Sequence, residues 1–380
     1  MPSTTYAEFG HDTEGLEVAK AFADGIRGKT ILVTGANSGG IAYTTLEAFV
    51  SLNPSLLTPT PRTEVPTLTQ ASQSPSHLIL ASRTPSKIHQ TIQKLEHSYP
   101  TVSYRALTLD LSSQKAVRDA AAELLAWEDI HGIDLIINNA GVMGLSNRDL
   151  TPEGIEMHFG TNHIGHFLFT SLLMPRLLVA ARRNPRGATR VINITSGSPA
   201  VAGIRWSDIN FERKSKDLPE EERPNPQISA MWGFPDVDER SYIPIEGYNQ
   251  SKVANVLFSI GLTARLFQKY GILSLAVHPG VIPTELVRDF GAELQGALTR
   301  LRENSITYKT LGAGASTSLT AALDPKLVEG AGVEKDGRAV GVFLKDCQVE
   351  ELSNAKAVSM SGAEKLWELS EKLVGEKFAW

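Results

Sequence analysis

Tyr248 stands four residues before Lys252 in the run Tyr-Asn-Gln-Ser-Lys. On a helix, residues four apart share a face, so this phenol and this ammonium can serve one ligand. A free phenol titrates near pH 10 and is a poor base at neutrality, but an adjacent positive charge favours the phenolate. Lowering its pKa by about three units takes about 4 kcal/mol of differential stabilisation. A phenol tuned in this way gives a proton to a carbonyl oxygen or takes one from an alcohol. Ser196 closes the apolar run Val191 to Thr195. Ligands bind at the C-terminal ends of strands in open α/β sheets, so the Ser196 hydroxyl can bond the same oxygen. Thr195 then points to the opposite face of the strand. Asn162 lies within His158–His166, at the start of a long helix, where it can hold a water on a proton path from Lys252. His163 and His166 are three apart and lack a third ligand, so no metal is expected.

These groups need a scaffold, and the chain alternates short apolar runs with helical patterns. The runs are Ile31–Thr34, Leu78–Ala81, Tyr104–Leu109, Asp134–Asn138, Val191–Thr195, Leu273–His278 and Val340–Leu344. Continuous apolar strands flanked by helices imply a parallel sheet covered on both faces. The expectation is an α/β protein with one Rossmann-type doubly wound domain, its sheet seven-stranded and parallel. Helices are expected over Gln114–Trp127, Tyr248–Tyr270 and Ala363–Phe378, with Gly271 a stop signal for the second. Residues 1–28 read as a polar N-terminal extension and 29–380 as the domain. Two insertions interrupt it, one proline-, Ser- and Thr-rich at about 52–76, the other charged and proline-rich at about 205–246. The second joins Ser196 to Tyr248 and can cover a site between them.

Thr34-Gly-Ala-Asn-Ser-Gly-Gly-Ile-Ala42 follows the first strand directly. Glycines permit a tight turn and close backbone approach to a pyrophosphate, and the N-terminus of the next helix offers N–H groups and a favourable dipole. Ala42 takes a place that mainly serves helix–strand packing. At the tip of the second strand, where an acidic residue would take the ribose hydroxyls of NAD, stands Arg83. A guanidinium there meets a 2′-phosphate, which favours NADP(H). Gly35 and Arg83 are 48 residues apart, and the proline-rich insertion accounts for the extra length.

The 380 residues are 42% hydrophobic and 21% charged, ordinary for a globular protein. A net charge of −5 argues against nucleic-acid binding. The single cysteine, Cys347, excludes an internal disulfide framework and fits a reducing compartment, taken here as the cytoplasm. Acidic residues Glu8, Asp12, Glu14 and Glu17 occupy the place of a signal peptide's apolar stretch, and no apolar run is long enough for a transmembrane helix.

Together the motifs resemble the short-chain dehydrogenase/reductase family, over about residues 29 to 375 apart from the two insertions. The resemblance implies that Thr34, Gly35, Ser38, Gly39 and Ile41 form the cofactor turn and that Arg83 selects NADP(H). It places Asp110 and Leu111 beside the adenine, and Asn138, Ala140 and Gly141 in a motif that steadies the sheet and contacts the cofactor. Asn162, Ser196, Tyr248 and Lys252 match the catalytic tetrad, with Tyr248 and Lys252 also contacting the cofactor. Pro279, Gly280 and Thr284 match the segment near the nicotinamide carboxamide. The runs Thr151–Glu156 and Asn162–Phe167 look most like the retinol-dehydrogenase-like branch. The extra residue in the glycine turn resembles fungal members, many of which serve secondary metabolism. The implied substrate is a small hydrophobic ketone, aldehyde or alcohol, with Val142, Met143, Leu145, Trp206, Trp232, Phe234, Leu286 and Phe290 as a candidate lining. Long helices in this family often form homodimer faces. Two other readings use the same residues: a nucleotide-sensing binding protein without turnover, and an NAD-dependent alcohol dehydrogenase, against which Arg83 argues.

Overall fold

The computed structural model describes residues 3–52, 74–304 and 307–380. Most of the expected insertion at 52–76 lies outside the described residues. The six longer strands are β1 Thr30–Thr34, β2 His77–Ser82, β3 Ser103–Thr108, β4 Leu135–Asn138, β5 Thr189–Ile194 and β6 Ile272–His278. Two short ones follow, β7 Phe343–Lys345 and β8 Gln348–Val349. They form one sheet in the order β8-β7-β6-β5-β4-β1-β2-β3. Every pairing is parallel except that of β8 with β7. The sheet therefore has eight strands, not seven, the eighth being an antiparallel edge. A two-residue turn makes that edge, with Asp346 and Cys347 both in the left-handed region (φ 50° and 60°). This is the backbone that the twist of a tight hairpin demands. The expected strand at Val340–Leu344 starts three residues later, at Phe343.

Alternate residues of the buried strands feed two cores, as a doubly covered sheet requires. Leu32 of β1 enters one core, while Ile31 and Val33 enter the other. The second core is covered by α1 Gly15–Ala21, α2 Ile41–Val50 and α3 Pro85–Ser98. Residues before β1 belong to it: Val18, Ala19 and Ile26 are fully buried. The first core is covered by α4 Gln114–Leu125, α5 Met157–Leu172, α6 Met174–Ala181 and α7 Pro244–Tyr270. Further on come α8 Ala292–Asn304, α9 Leu311–Leu323, which completes the second face, and α10 Met360–Val374. No single helix among the described residues is long and apolar enough to cross a membrane; α5 and α6 are bent 58° apart and supply core side chains.

α7 begins four residues before Tyr248, with Pro244 in its first turn, where the missing N–H costs nothing. It ends at Gly271, which takes the left-handed cap (φ 71°). The chain's last helix packs across α5 and α7. Trp367 meets Phe167 edge-on at 5.1 Å and lies 6.2 Å from Phe258. Phe378 reaches Phe167, and Trp380 stacks on Phe378 and meets Trp367 edge-on. Arg265 crosses the Trp367 ring at 4.1 Å while pairing with Glu364.

Replacing Trp367 by Ala removes the centre of this aromatic cluster. It should cost about 3–5 kcal/mol of unfolding free energy, the range for emptying an aromatic core site. Denaturant unfolding checks it, and a loss below about 1 kcal/mol would mean that α10 is not part of the cooperative core.

Candidate functional site

The C-terminal ends of β1, β4, β5 and the start of α7 converge. Gly35 follows β1 with φ 72°, and a Cβ there would lie 2.8 Å from the Ala140 Cα. Only glycine lets the β1 turn and the β4 loop approach this closely. Gly39 (φ 90°) has open space where its side chain would be. Gly40 caps α2 with no side-chain partner. Backbone N–H groups of Gly39, Gly40 and Ile41 find no acceptor among the described residues. An uncapped helix N-terminus facing open space is the geometry that receives a pyrophosphate, so these residues fit a dinucleotide. Arg83 is exposed beyond β2 and makes no ion pair among the described residues, while its neighbour Ser82 bonds Asn37 of the turn (3.0 Å).

Thr34 and Asn138, expected in the cofactor contact, hold the site without facing it. Thr34 is fully buried, and its oxygen accepts the N–H groups of Asn139 (2.9 Å) and Ala140 (3.0 Å). Asn138 donates to Thr170 and to Asn193, tying β4 to α5 and β5. Its amide is thus committed inside the sheet. Asp110 accepts from the backbone and hydroxyl of Ser112, and Leu111 is buried where α5 passes. A Cβ on Gly165 would sit 2.4 Å from the Leu111 carbonyl oxygen. Gly280 has φ 91° and is packed by Lys309, and Thr284 caps the short turn at Glu285–Val287.

The four expected catalytic groups come together. Although Ser196 and Tyr248 are 52 residues apart, the Ser196 hydroxyl lies near enough to the Tyr248 phenol to pull its pKa down. Ser196 also donates to Ser198 (2.8 Å), which donates to Asn249 (2.7 Å). Thr195 points the other way and bonds the Lys252 carbonyl (2.7 Å). Lys252 Nζ donates to the Ile194 carbonyl (2.9 Å) and lies 5.5 Å from the centre of the Tyr248 ring. Asn162 sits in a π-helical turn, Gly160–Ile164, a feature that recurs at functional sites. Its side chain clasps Val142 at both N–H (2.8 Å) and carbonyl (3.0 Å) and donates to Ser251 (2.9 Å). Gly141 lies between Asn162 and Lys252: a Cβ there would be 3.1 Å from one and 3.6 Å from the other.

Burial governs the electrostatics. Tyr248 and Lys252 are 5% and 4% exposed. Desolvation pushes the Tyr248 phenol up, against a smaller downward pull from the neighbouring Ser196 hydroxyl. The same desolvation pulls Lys252 down to about 7. The phenol therefore stands above its ordinary value, not below it, because burial sets its direction. His163 and His166 are pulled to about 3 and about 4 by burial, so both stay neutral. They bond Ser370 and Thr34 respectively, not a common centre.

The segment between Ser196 and Tyr248 roofs the site. Phe234, Val237, Ile243 and Ile245 form an apolar cluster with Tyr248, Phe290 and Leu294, and Met143 and Trp232 pack against it. Tyr242 donates to the Leu145 carbonyl (2.9 Å), pinning this roof to the loop after β4. Trp206 is not part of it; it packs on the first core, with Lys365 over its ring at 4.6 Å. Asn139, Ser198, Asn249 and His166 are polar residues of the site that motif spacing left out, because their bonds reach between segments far apart in the chain.

A family pattern described as short chain dehydrogenase matches residues 65–208. The chain is 32% identical over 272 residues to "Oxidoreductase fscI" of Fusarium equiseti, covering 72% of this chain and 94% of that one. It is 35% identical over 267 residues to retinol dehydrogenase 12 of Homo sapiens, covering 70% and 68%. Among solved structures, NADPH-bound carbonyl reductase from chicken fatty liver shares the fold with a TM-score of 0.53 at 20% identity, over 84% of this chain and 92% of that one. The chain belongs to the short-chain dehydrogenase/reductase family. It is an oxidoreductase whose chemistry lies at alcohol and carbonyl groups of a small molecule.

Burial of Lys252 has a measurable consequence. The unfolded side chain titrates near 10.4, above its folded value of about 7. Between these values the unfolded state holds the extra proton, so stability gains as pH rises through that window. The unfolding free energy of the cofactor-free protein, measured against Lys252→Met, should rise from pH 7 to about 10. A flat difference would show that Lys252 is solvated in the folded state.

Proposed function

We propose that this chain is an NADP(H)-dependent carbonyl reductase and alcohol dehydrogenase for hydrophobic substrates. The observation that carries the reading is the convergence of Ser196, Tyr248, Lys252 and Asn162 beside an open, uncapped glycine turn. The nicotinamide, when bound, supplies or accepts the hydride. The chain's own groups handle the oxygen and the proton. Tyr248 donates its proton to the carbonyl oxygen in reduction and accepts one from the alcohol in oxidation. A buried, neutral phenol suits the donor role, which favours the reductive direction. Ser196 bonds the same oxygen and steadies its developing charge. Lys252 Nζ, with one of its three protons spent on Ile194, supports the phenol electrostatically and would hold the nicotinamide ribose with the others. Asn162 keeps the proton path from Lys252 in register.

Arg83 supports the choice of NADP(H), because a guanidinium free of carboxylate partners among the described residues suits a 2′-phosphate. The apolar roof over Tyr248 supports a hydrophobic substrate and excludes water from the proton transfer. A role in secondary metabolism follows only from the resemblance of the glycine turn to fungal members.

Tyr248→Phe should keep NADPH binding and lose about 10²–10⁴ of turnover on a panel of hydrophobic ketones and aldehydes, the span of a general acid. Wild-type activity in this variant would remove Tyr248 from the mechanism. Arg83→Glu should reverse the ratio of kcat/KM for NADPH over NADH, through lost attraction and new repulsion at one position. An unchanged ratio would free Arg83 of any role in cofactor choice.

A further inference from the structure

His166 is buried, uncharged and unused by the mechanism above, yet it lies between two parts of it. Its Nε2 is 2.9 Å from the Thr34 hydroxyl and its Nδ1 is 3.0 Å from the Asn162 carbonyl oxygen. Counting donors decides which nitrogen carries the proton. A threonine hydroxyl has one proton and two lone pairs. The N–H groups of Asn139 and Ala140 occupy both lone pairs of Thr34. Only the hydroxyl proton remains for His166, so Nε2 accepts. The ring proton is then on Nδ1 and donates to Asn162. An imidazolium would set an N–H against an oxygen already filled by two others. Complete burial and the nearby Lys252 charge oppose it too, holding the ring's pKa near 4.

The bonds form one directed chain. Backbone N–H groups of the β4 loop donate to Thr34, Thr34 donates to Nε2, and Nδ1–H donates to Asn162. Bonds aligned in this way strengthen one another. They join the residue just before Gly35, the loop that leads to Gly141, and the carbonyl of Asn162. That carbonyl lies in the π-helical turn, where Gly165 N–H bonds Gly160. Three side-chain bonds already pin the Asn162 amide. The imidazole pins its backbone as well.

We propose that His166 is a positioning residue for proton transfer: as an Nδ1-protonated neutral imidazole, it holds the Asn162 carbonyl in register with the dinucleotide turn. This rests on the functional reading above for its consequence in turnover, though the tautomer stands apart from it.

The test pairs two variants with a measurement on the cofactor-free protein. Nitrogen-15 NMR of the wild type should show His166 protonated on Nδ1 and not on Nε2. His166→Phe keeps a ring but removes both bonds. With NADPH and the best ketone of the panel it should lower kcat about 10- to 100-fold, the order expected when a catalytic group is misplaced from outside the chemistry. It should raise the solvent deuterium isotope effect on kcat, while KM for NADPH changes far less. His166→Gln supplies one donor and one acceptor again and should recover most of kcat. A proton on Nε2 overturns the proposal. So does a Phe variant that melts lower but keeps the wild-type kcat and isotope effect, or a Gln variant that folds as stably as the wild type and is as slow as Phe. If the wild type itself turns over no carbonyl, the functional reading fails instead, and the NMR result still decides the tautomer.

Discussion

The Thr34 hydroxyl is the joint on which the site depends. At the end of β1 it must satisfy two backbone N–H groups of the loop after β4 and one buried imidazole. No water reaches it, so each bond lost would leave a polar group unpaired in the core, at a cost of about 1–3 kcal/mol. This joint draws the two strand ends together, and Gly35 has to be glycine because of it. The glycine turn is then free to present its N–H groups outward. The glycine turn and helix α5, which carries Asn162, are therefore held by one polar network and do not merely lie side by side.

A second constraint sets the chemistry. Tyr248 and Lys252 lie on one helix face but are almost wholly desolvated, which raises the phenol and lowers the ammonium. The tyrosine rests neutral and the lysine titrates near neutrality. The roof built from Phe234, Ile243 and Phe290 buries the tyrosine, and it is contributed largely by the segment that separates Ser196 from Tyr248. The segment that looks like an interruption in the sequence is what dries the site.

The doubly wound sheet was legible because its strands are buried on both faces and read as unbroken apolar runs. Six of them were placed within two residues. The eighth strand was not legible: Gln348–Val349 is too short to show any period, and its turn uses Asp346 and Cys347 where glycine or asparagine would have signalled it. The N-terminal segment reads as polar, yet Val18, Phe22 and Ile26 recur every four residues and bury one side of it. Ser196, Tyr248, Lys252 and Asn162 were singled out from type, spacing and family resemblance, and the fold brings them together. Trp206 was misplaced because an aromatic in a loop carries no sign of which face it covers. His166 was noticed only as half of a metal pair, since its true partners are 132 and 4 residues away and belong to different elements.

On the proposed reading, the strand ends and the uncapped turn at Gly39–Ile41 form a dinucleotide site. The direct measurement is titration of the purified chain with NADPH and with NADH, followed by nicotinamide fluorescence. Saturable binding of both, with NADPH the tighter, is the predicted result. If neither nucleotide binds, the open turn is not a cofactor site and the account of the tetrad as an active centre falls with it.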